Sequence, residues 1–118
     1  MDVLEMRRHR HGTQVIVSLS GEVDADNVTR MRRGLDEAVA ARSPDCPRLV
    51  VDLSDLTFID TTGLGALVRL RAHVTDGDNA LALVAPDGQV LRRLRRTNLA
   101  PLFSIYETLS QALTCPPS

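Results

Sequence analysis

The stretch that decides the fold is LVVDLSDLTFIDTTGLGALVRLR, Leu49 to Arg71. It starts with the apolar run Leu49 to Val51, which is typical of a buried strand, and a short Asp-rich turn is expected after it. The DTTGLG segment, Asp60 to Gly65, then opens a stretch with helical spacing. Such a boundary would place a carboxylate and two hydroxyls beside free backbone N–H groups, at the positive end of a helix dipole. A phosphate added there would be tolerated, which favours a switch over a catalyst.

Outside this segment, the spacing of apolar residues predicts alternating strands and helices. Strands are expected over residues 3–12, 13–20, 48–53, 80–84 and 103–106, the second of them ending at Gly21. Helices are expected over 27–42, 62–74 and 108–113, and from Pro86 to a left-handed end at Asn98, with Asp24 or Asp26 capping the first and a turn at 75–79. This alternation indicates an α/β fold with a largely parallel sheet. We expect one domain over residues 1–118, with a flexible tail at 113–118.

The composition argues against several classes of function. Net charge is −1 and aromatic residues make up 3% of the chain, so neither nucleic acid nor an anionic membrane is an expected partner. All 14 basic residues are Arg, which excludes a P-loop or a catalytic Lys. Cys46, Cys115, His9, His11 and His73 show no metal-ligand spacing, so we expect no metal and no cofactor. The chain shows no signal peptide and no apolar run long enough for a membrane span, which favours the cytoplasm.

The segment from Leu49 to Arg71 resembles the signature of STAS domains, in particular those of bacterial anti-sigma-factor antagonists. The family pattern is an apolar strand, Asp-Leu-Ser, and then Phe-Ile/Met-Asp-Ser-Ser-Gly-Leu-Gly leading into a helix. Here it reads DLS at 52–54 and FIDTTGLG at 58–65. Leu19 to Asp24 resembles the family's Gly-Glu-Leu/Ile-Asp corner, and Pro86 to Leu99 resembles its third helix, with Asn-Leu replacing Gly-Leu. The resemblance implies an α/β fold with a mixed, mostly parallel sheet flanked by about four helices.

The resemblance also implies a function. In antagonist members the unphosphorylated protein binds an anti-sigma factor, often a kinase of the GHKL type, and so frees a sigma factor. The kinase then phosphorylates the Ser before the Gly and the complex separates; a cognate phosphatase would reverse this step. Position by position, the phosphoacceptor here is Thr62. The partner-binding set that the resemblance and the helix spacing together predict is Asp24, Asp60, Thr61, Gly63, Leu64, Gly65 and Val68.

Both Ser positions of the family motif are Thr here, and each hydroxyl also has a purely structural interpretation. The extra methyl of Thr62 restricts its side chain and would slow a Ser-preferring kinase. Thr62 could equally be the helix N-cap, with Thr61 a turn residue, although Asp60 is itself a good capping residue. If Thr62 is phosphorylated, the added charge stabilises a helix N-terminus, so we expect the switch to act on the partner rather than on folding.

The glycines and apolar residues of the motif also leave two interpretations open. Gly63 and Gly65 would let a partner's backbone approach closely, or would only permit tight packing between helix and strand. Leu64 and Val68 lie beside the predicted buried stripe of the helix. They would form an exposed apolar shoulder for the partner, or belong to the core.

Two other functions compete with an antagonist. An enzyme would use Asp60 or Asp24 as base and Thr62 as nucleophile, but no His or Lys stands near the motif to activate a hydroxyl. A STAS scaffold or ligand-sensing module without phosphorylation is the second alternative. The basic run Arg92, Arg93, Arg95 and Arg96 could contact RNA or an acidic partner, but a solvated helix face is the interpretation we favour. Cys46 is expected to be inert.

Overall fold

One sheet of five strands forms the centre of the molecule in the computed structural model, which describes residues 3–74 and 80–114. The strands lie in the order β1-β2-β3-β4-β5, with β1 antiparallel to β2 and the other neighbours parallel. Their bounds are Glu5–His11 (β1), Gln14–Val23 (β2), Arg48–Ile59 (β3), Leu81–Val84 (β4) and Ser104–Tyr106 (β5). The predicted turn at 75–79 and residues 115–118, with Cys115, lie outside the described residues.

Four α-helices flank this sheet within the described residues. Their bounds are Val28–Ala40 (α1), Thr61–His73 (α2), Gln89–Arg96 (α3) and Leu109–Thr114 (α4), and a 3-10 turn covers Ala100–Leu102. The predicted α/β fold, with a mixed and mostly parallel sheet and four helices, is confirmed. Residues 113 and 114, at the start of the predicted flexible tail, form the last turn of α4.

The two faces of the sheet bury different helices, because side chains alternate along a strand. On one face, Val15 and Val17 of β2 and Leu49 and Val51 of β3 join the large core that contains the buried sides of α1, α2 and α3. The residues between them face the other way and form a small cluster that includes Ala112 of α4. The large core therefore fixes α2 on the sheet, and the start of α2 lies directly after the end of β3.

Strands β2 and β3 run further than the sequence predicts. The prediction that β2 ends at Gly21 is wrong, since it continues to Val23, and the predicted Asp-rich turn after residue 53 is part of β3. The extended ends of β2 and β3 pair with each other as far as Val23 and Ile59. The pairing register shifts twice along the way, between Ser18 and Ser20 and between Gly21 and Glu22. Gly21 has a φ of +97°, and a Cβ there would lie 1.7 Å from the Val3 carbonyl oxygen, so only glycine fits this bend.

Helix α1 starts later than its predicted N-caps. Asn27, not Asp24 or Asp26, occupies the N-cap position, and its side chain makes no capping hydrogen bond. Its Oδ1 instead accepts from the Asp24 N–H at 3.0 Å, and its Nδ2 donates to the Glu22 carbonyl at 2.9 Å. Asn27 therefore ties the end of β2 to the start of the helix, a contact across the turn that no local capping pattern specifies.

The third helix is shorter than predicted. It begins at Gln89 with Gly88 as its N-cap, so the prediction that Pro86 is its first residue is wrong. Its end is as expected, because Asn98 has a φ of 61° and leaves the helix in the left-handed region. The eight residues of α3 pack Val90 and Leu94 into the large core and bring its other side next to the end of β3.

Candidate functional site

Asp60 joins the end of β3 to the start of α2 and caps the helix. Its Oδ1 accepts hydrogen bonds from the backbone N–H groups of Thr62, at 3.0 Å, and Gly63, at 3.1 Å. The Thr62 hydroxyl donates to the same oxygen, with 2.5 Å between Oγ1 and Oδ1. Two free N–H groups of the helix end are thus satisfied, and the Thr62 hydroxyl is held in one orientation.

The surroundings of Asp60 keep its carboxylate charged. Partial burial raises the pKa of the Asp60 carboxyl, but the hydrogen bonds from Thr62 and Gly63 and the charge of Arg93 act in the opposite direction. The net result is a pKa below the ordinary value of 3.8. The group beside the Thr62 hydroxyl is therefore an anion at neutral pH, and any negative charge added to Thr62 would face it.

The two threonines of the motif differ in their exposure to solvent. Thr61 is the first residue of α2 and is exposed, whereas Thr62 is half-buried. Since Asp60 is the N-cap, the alternative that Thr62 caps the helix is wrong. Thr62 instead contributes a backbone N–H and a hydroxyl to the cap, and it retains partial access to solvent.

Asp24 reaches the same edge of the sheet through the pairing of β2 with β3. Val23 and Ile59 are partners in the ladder, and the Asp60 N–H donates to the Val23 carbonyl at 3.1 Å. The residues that follow these partners, Asp24 and Asp60, are therefore neighbours at the carboxyl ends of two strands. The Asp24 carboxylate accepts from the Asp26 N–H at 2.9 Å, within its own turn.

The two glycines of the motif turn out to be unlike each other. Gly63 is buried, and a Cβ there would lie 2.6 Å from Ile59 Cγ1 and 2.8 Å from Val23 Cγ1. The packing interpretation therefore applies to Gly63, which lets α2 sit tightly on the strands. Gly65 is exposed, with no described atom within 4 Å of where a Cβ would lie, so its surface is open to another molecule.

Of the two residues considered for an exposed apolar shoulder, Leu64 and Val68, one is buried and one is exposed. Leu64 is 2% exposed and packs in the large core, so it cannot present its side chain to a partner in this conformation. Val68, one turn further along α2, is 36% exposed. The helix buries a wider sector than the Leu67–Leu70–Val74 stripe suggested, because strands and a second helix both pack against it.

A basic cleft that the sequence did not predict lies next to the end of β3. Arg93 of α3 lies over the Phe58 ring, 5.6 Å from guanidinium carbon to ring centre. The cleft has a volume of about 340 Å³ and is lined by Phe58, Ile59, Gln89, Arg92, Arg93 and Arg96. The expected solvated face holds for Arg92, Arg95 and Arg96, which are exposed, but not for the half-buried Arg93. The signal in the sequence was the helical spacing of residues 89, 92, 93 and 96, which places them on one side.

Within 3–74 and 80–114, no three His, Cys, Asp or Glu side chains cluster in a way that would hold a metal ion. In the same part of the chain, none of the helices has the length and apolar character needed to cross a bilayer.

The sequence of this chain is similar to a known domain family and to a characterised relative. The family model of the STAS domain matches residues 5–112. An anti-sigma F factor antagonist from Paenibacillus polymyxa is 32% identical over 111 residues, which cover 94% of this chain and 92% of the relative.

Solved structures agree in architecture. The crystal structure of an anti-sigma factor antagonist from Mycobacterium paratuberculosis has a TM-score of 0.84 at 28% identity, covering 94% of this chain and 92% of its own. The Bacillus cell fate determinant SpoIIAA in its phosphorylated form has a TM-score of 0.65 at 17% identity, covering 92% and 96%. At that identity the second likeness shows the shared fold.

Proposed function

The chain belongs to the STAS domain family, and from that premise we propose that it is an anti-sigma-factor antagonist whose binding is switched off by phosphorylation of Thr62. The observation that carries the proposal is the hydrogen bond of 2.5 Å from the Thr62 hydroxyl to Asp60. It holds the hydroxyl of a half-buried residue at a helix start, with Asp24 on the neighbouring strand end. The sequence relative named as an antagonist, which aligns over most of the chain, supports the same role.

The expected partner is an anti-sigma factor that is also a kinase of the GHKL type. Its kinase activity would transfer the γ-phosphoryl group of ATP to Thr62 Oγ1. The new P–O bond replaces the bond to ADP, and the hydroxyl proton is released. A cognate phosphatase would hydrolyse the ester and restore the binding form. In this proposal the chain is a substrate and a binding protein in the cytoplasm, and none of its own residues is assigned a catalytic role.

Phosphorylation would act on the partner's contact rather than on the fold. The phosphate adds about −1.5 to −2 charges. At the start of α2 this charge is tolerated, with a stabilisation of about 0.3–1 kcal/mol from the helix dipole. In an interface, however, it must lose its hydration and lies close to Asp60 and Asp24. A loss of about 3 kcal/mol would weaken binding roughly a hundredfold, since each ~1.4 kcal/mol is a factor of ten.

The experiment that tests this function is intact-mass spectrometry after incubation with ATP and a GHKL-type kinase from the same genome. We expect the wild-type protein to gain one phosphoryl group and Thr62→Ala to gain none. Thr61→Ala is the matched control, because it removes the neighbouring exposed hydroxyl and should still be modified. A stable complex with no mass gain on the wild type would point instead to a scaffold, and equal modification of Thr62→Ala would exclude Thr62 as acceptor.

A further inference from the structure

The basic cleft, defined above by Phe58, Ile59 and one side of α3, has no role in the function proposed so far. Its three guanidinium groups, those of Arg92, Arg93 and Arg96, come from one side of an eight-residue helix. Phe58 forms the floor under Arg93. Arginine stacked on an aromatic ring keeps its planar N–H donors free for an anion, since the ring contacts the face of the guanidinium and not its edge.

None of these arginines forms an ion pair within the described residues. Elsewhere on the surface, Arg69 forms an ion pair with Asp36 at 2.9 Å, and Arg8 pairs with Glu37 at 3.6 Å. Within residues 3–74 and 80–114, no carboxylate forms an ion pair with any of the three cleft arginines. In addition, the Arg93 Nε is buried and has no hydrogen-bond acceptor among the same residues. A buried donor of this kind normally has an acceptor, and the Arg93 Nε can donate to an anion without giving up a hydrogen bond within the described chain.

The cleft and the Thr62 hydroxyl both lie at the end of β3, where Ile59 lines the cleft and the next residue, Asp60, binds the hydroxyl. Phe58, under Arg93, is two residues before Asp60 along the chain, and the Asp60 carboxylate holds the hydroxyl. The positive charge of Arg93 contributes to the lowered pKa of Asp60, so its field reaches this carboxylate. Arg93 and the hydroxyl therefore act on the same acidic group.

A phosphate on Thr62 could not keep the position of the hydroxyl. The ester oxygen has no hydrogen to donate, so the bond to Asp60 is lost, and the dianion is repelled by that carboxylate. An arginine side chain with free N–H donors is the group best suited to bind this phosphate, because it can donate two parallel hydrogen bonds to it. We propose that the basic cleft receives the phosphate of phosphorylated Thr62, with the Arg93 guanidinium as its main ligand. The inference rests on the proposed modification of Thr62 and adds the group that holds the modified state.

The test uses full-length protein carrying phosphothreonine at position 62, introduced during synthesis so that neither kinase nor partner is needed. The phosphorus NMR signal is followed through a pH titration in the wild type, in Arg93→Gln and in Arg95→Gln. Because a nearby cation favours the dianion, we expect Arg93→Gln to raise the affinity of the phosphate dianion for a proton by about three- to tenfold. Arg95→Gln removes the same charge from the same helix outside the cleft, and we expect a change of less than about twofold.

A second readout keeps the test decisive if Arg93→Gln unfolds, which circular dichroism would reveal. In the wild type, the Arg93 Nε–H resonance should shift when Thr62 is phosphorylated and return after phosphatase treatment. Identical titrations in all three proteins, or an unmoved Nε–H resonance, would overturn the proposal. The proposal would also be overturned if Arg93→Gln left the phosphate titration unchanged but weakened binding of the unphosphorylated protein to an anti-sigma factor. In that case the cleft would bind an acidic segment of the partner. Since the titration contains no partner, its outcome is independent of whether phosphorylation releases one.

Discussion

At the scale of single residues, one carboxylate organises the site. Asp60 Oδ1 accepts from two backbone N–H groups and from the Thr62 hydroxyl. Its capping role could be predicted from its place before a helical pattern, because capping depends on residue type and local position. The bond from the hydroxyl could not, since it depends on the rotamer of Thr62 and on how α2 joins β3. The same limit explains why a cap at Thr62 was a reasonable but wrong alternative.

The cap leads to a prediction about stability and its dependence on pH. We expect Asp60→Ala to lower the free energy of unfolding by about 1 kcal/mol at pH 7, and Asp60→Asn to lower it by less, since Asn also caps. The folded-state pKa of Asp60 is below 3.8, so its contribution is present above that value and is lost as pH falls through the lower folded value. Urea unfolding at pH 7 and at acid pH measures this. A gap between wild type and Asp60→Ala that does not shrink in acid would contradict it.

The two glycines give a matched pair of substitutions. We expect Gly63→Ala to destabilise the protein by about 1–3 kcal/mol, because the added methyl would meet the side chains of Ile59 and Val23. Gly65→Ala adds the same methyl to the same helix in open space, and should stabilise the protein by up to about 1 kcal/mol through helix propensity. Thermal unfolding of both variants measures the difference; similar melting temperatures would show that the packing of Gly63 is misjudged.

At the scale of elements, the helices were easier to predict than the ends of the strands. The buried side of α1, with Met31 and Leu35, follows directly from apolar spacing. The extension of β3 beyond residue 53 was missed because Ser54 and Asp55 are typical of a turn. Its strand conformation comes from pairing with the end of β2, a contact between segments about 35 residues apart that no local pattern contains. The run of arginines in α3 was evident from the sequence. Their contact with Phe58 was not, because Phe58 belongs to β3.

A buried arginine gives a prediction about how α4 is attached. Arg48, at the start of β3, donates from Nη1 to the Ala112 carbonyl at 2.6 Å and to the Gln14 side chain, and it lies over the Tyr106 ring. We expect Arg48→Met to cost about 1–3 kcal/mol, because it leaves buried acceptors unpaired. Hydrogen exchange should quicken in α4 more than in α2. Arg95→Met, on an exposed face, is the control, and equal protection of α4 in both variants would show that Arg48 does not hold it.

At the scale of the whole molecule, the fold serves to bring distant pieces of sequence to one edge of the sheet. Asp24, the Asp60–Thr62 cap and the basic cleft come from three separate segments and meet at the ends of β2 and β3 and beside α3. The sequence sufficed for the architecture and for the place of the cap, because one continuous motif carries both. It could not assign Leu64 to the core or Arg93 to a cleft over Phe58, since those depend on packing between elements.

The proposed function requires that the state of the Thr62 hydroxyl decides whether an anti-sigma factor binds. Titration calorimetry of one anti-sigma factor into the unmodified protein and into the protein carrying phosphothreonine at position 62 tests it most directly. We expect tight binding to the unmodified protein and an affinity at least about tenfold weaker for the phosphorylated one, which corresponds to ~1.4 kcal/mol or more. Equal affinities for the two forms would contradict the account.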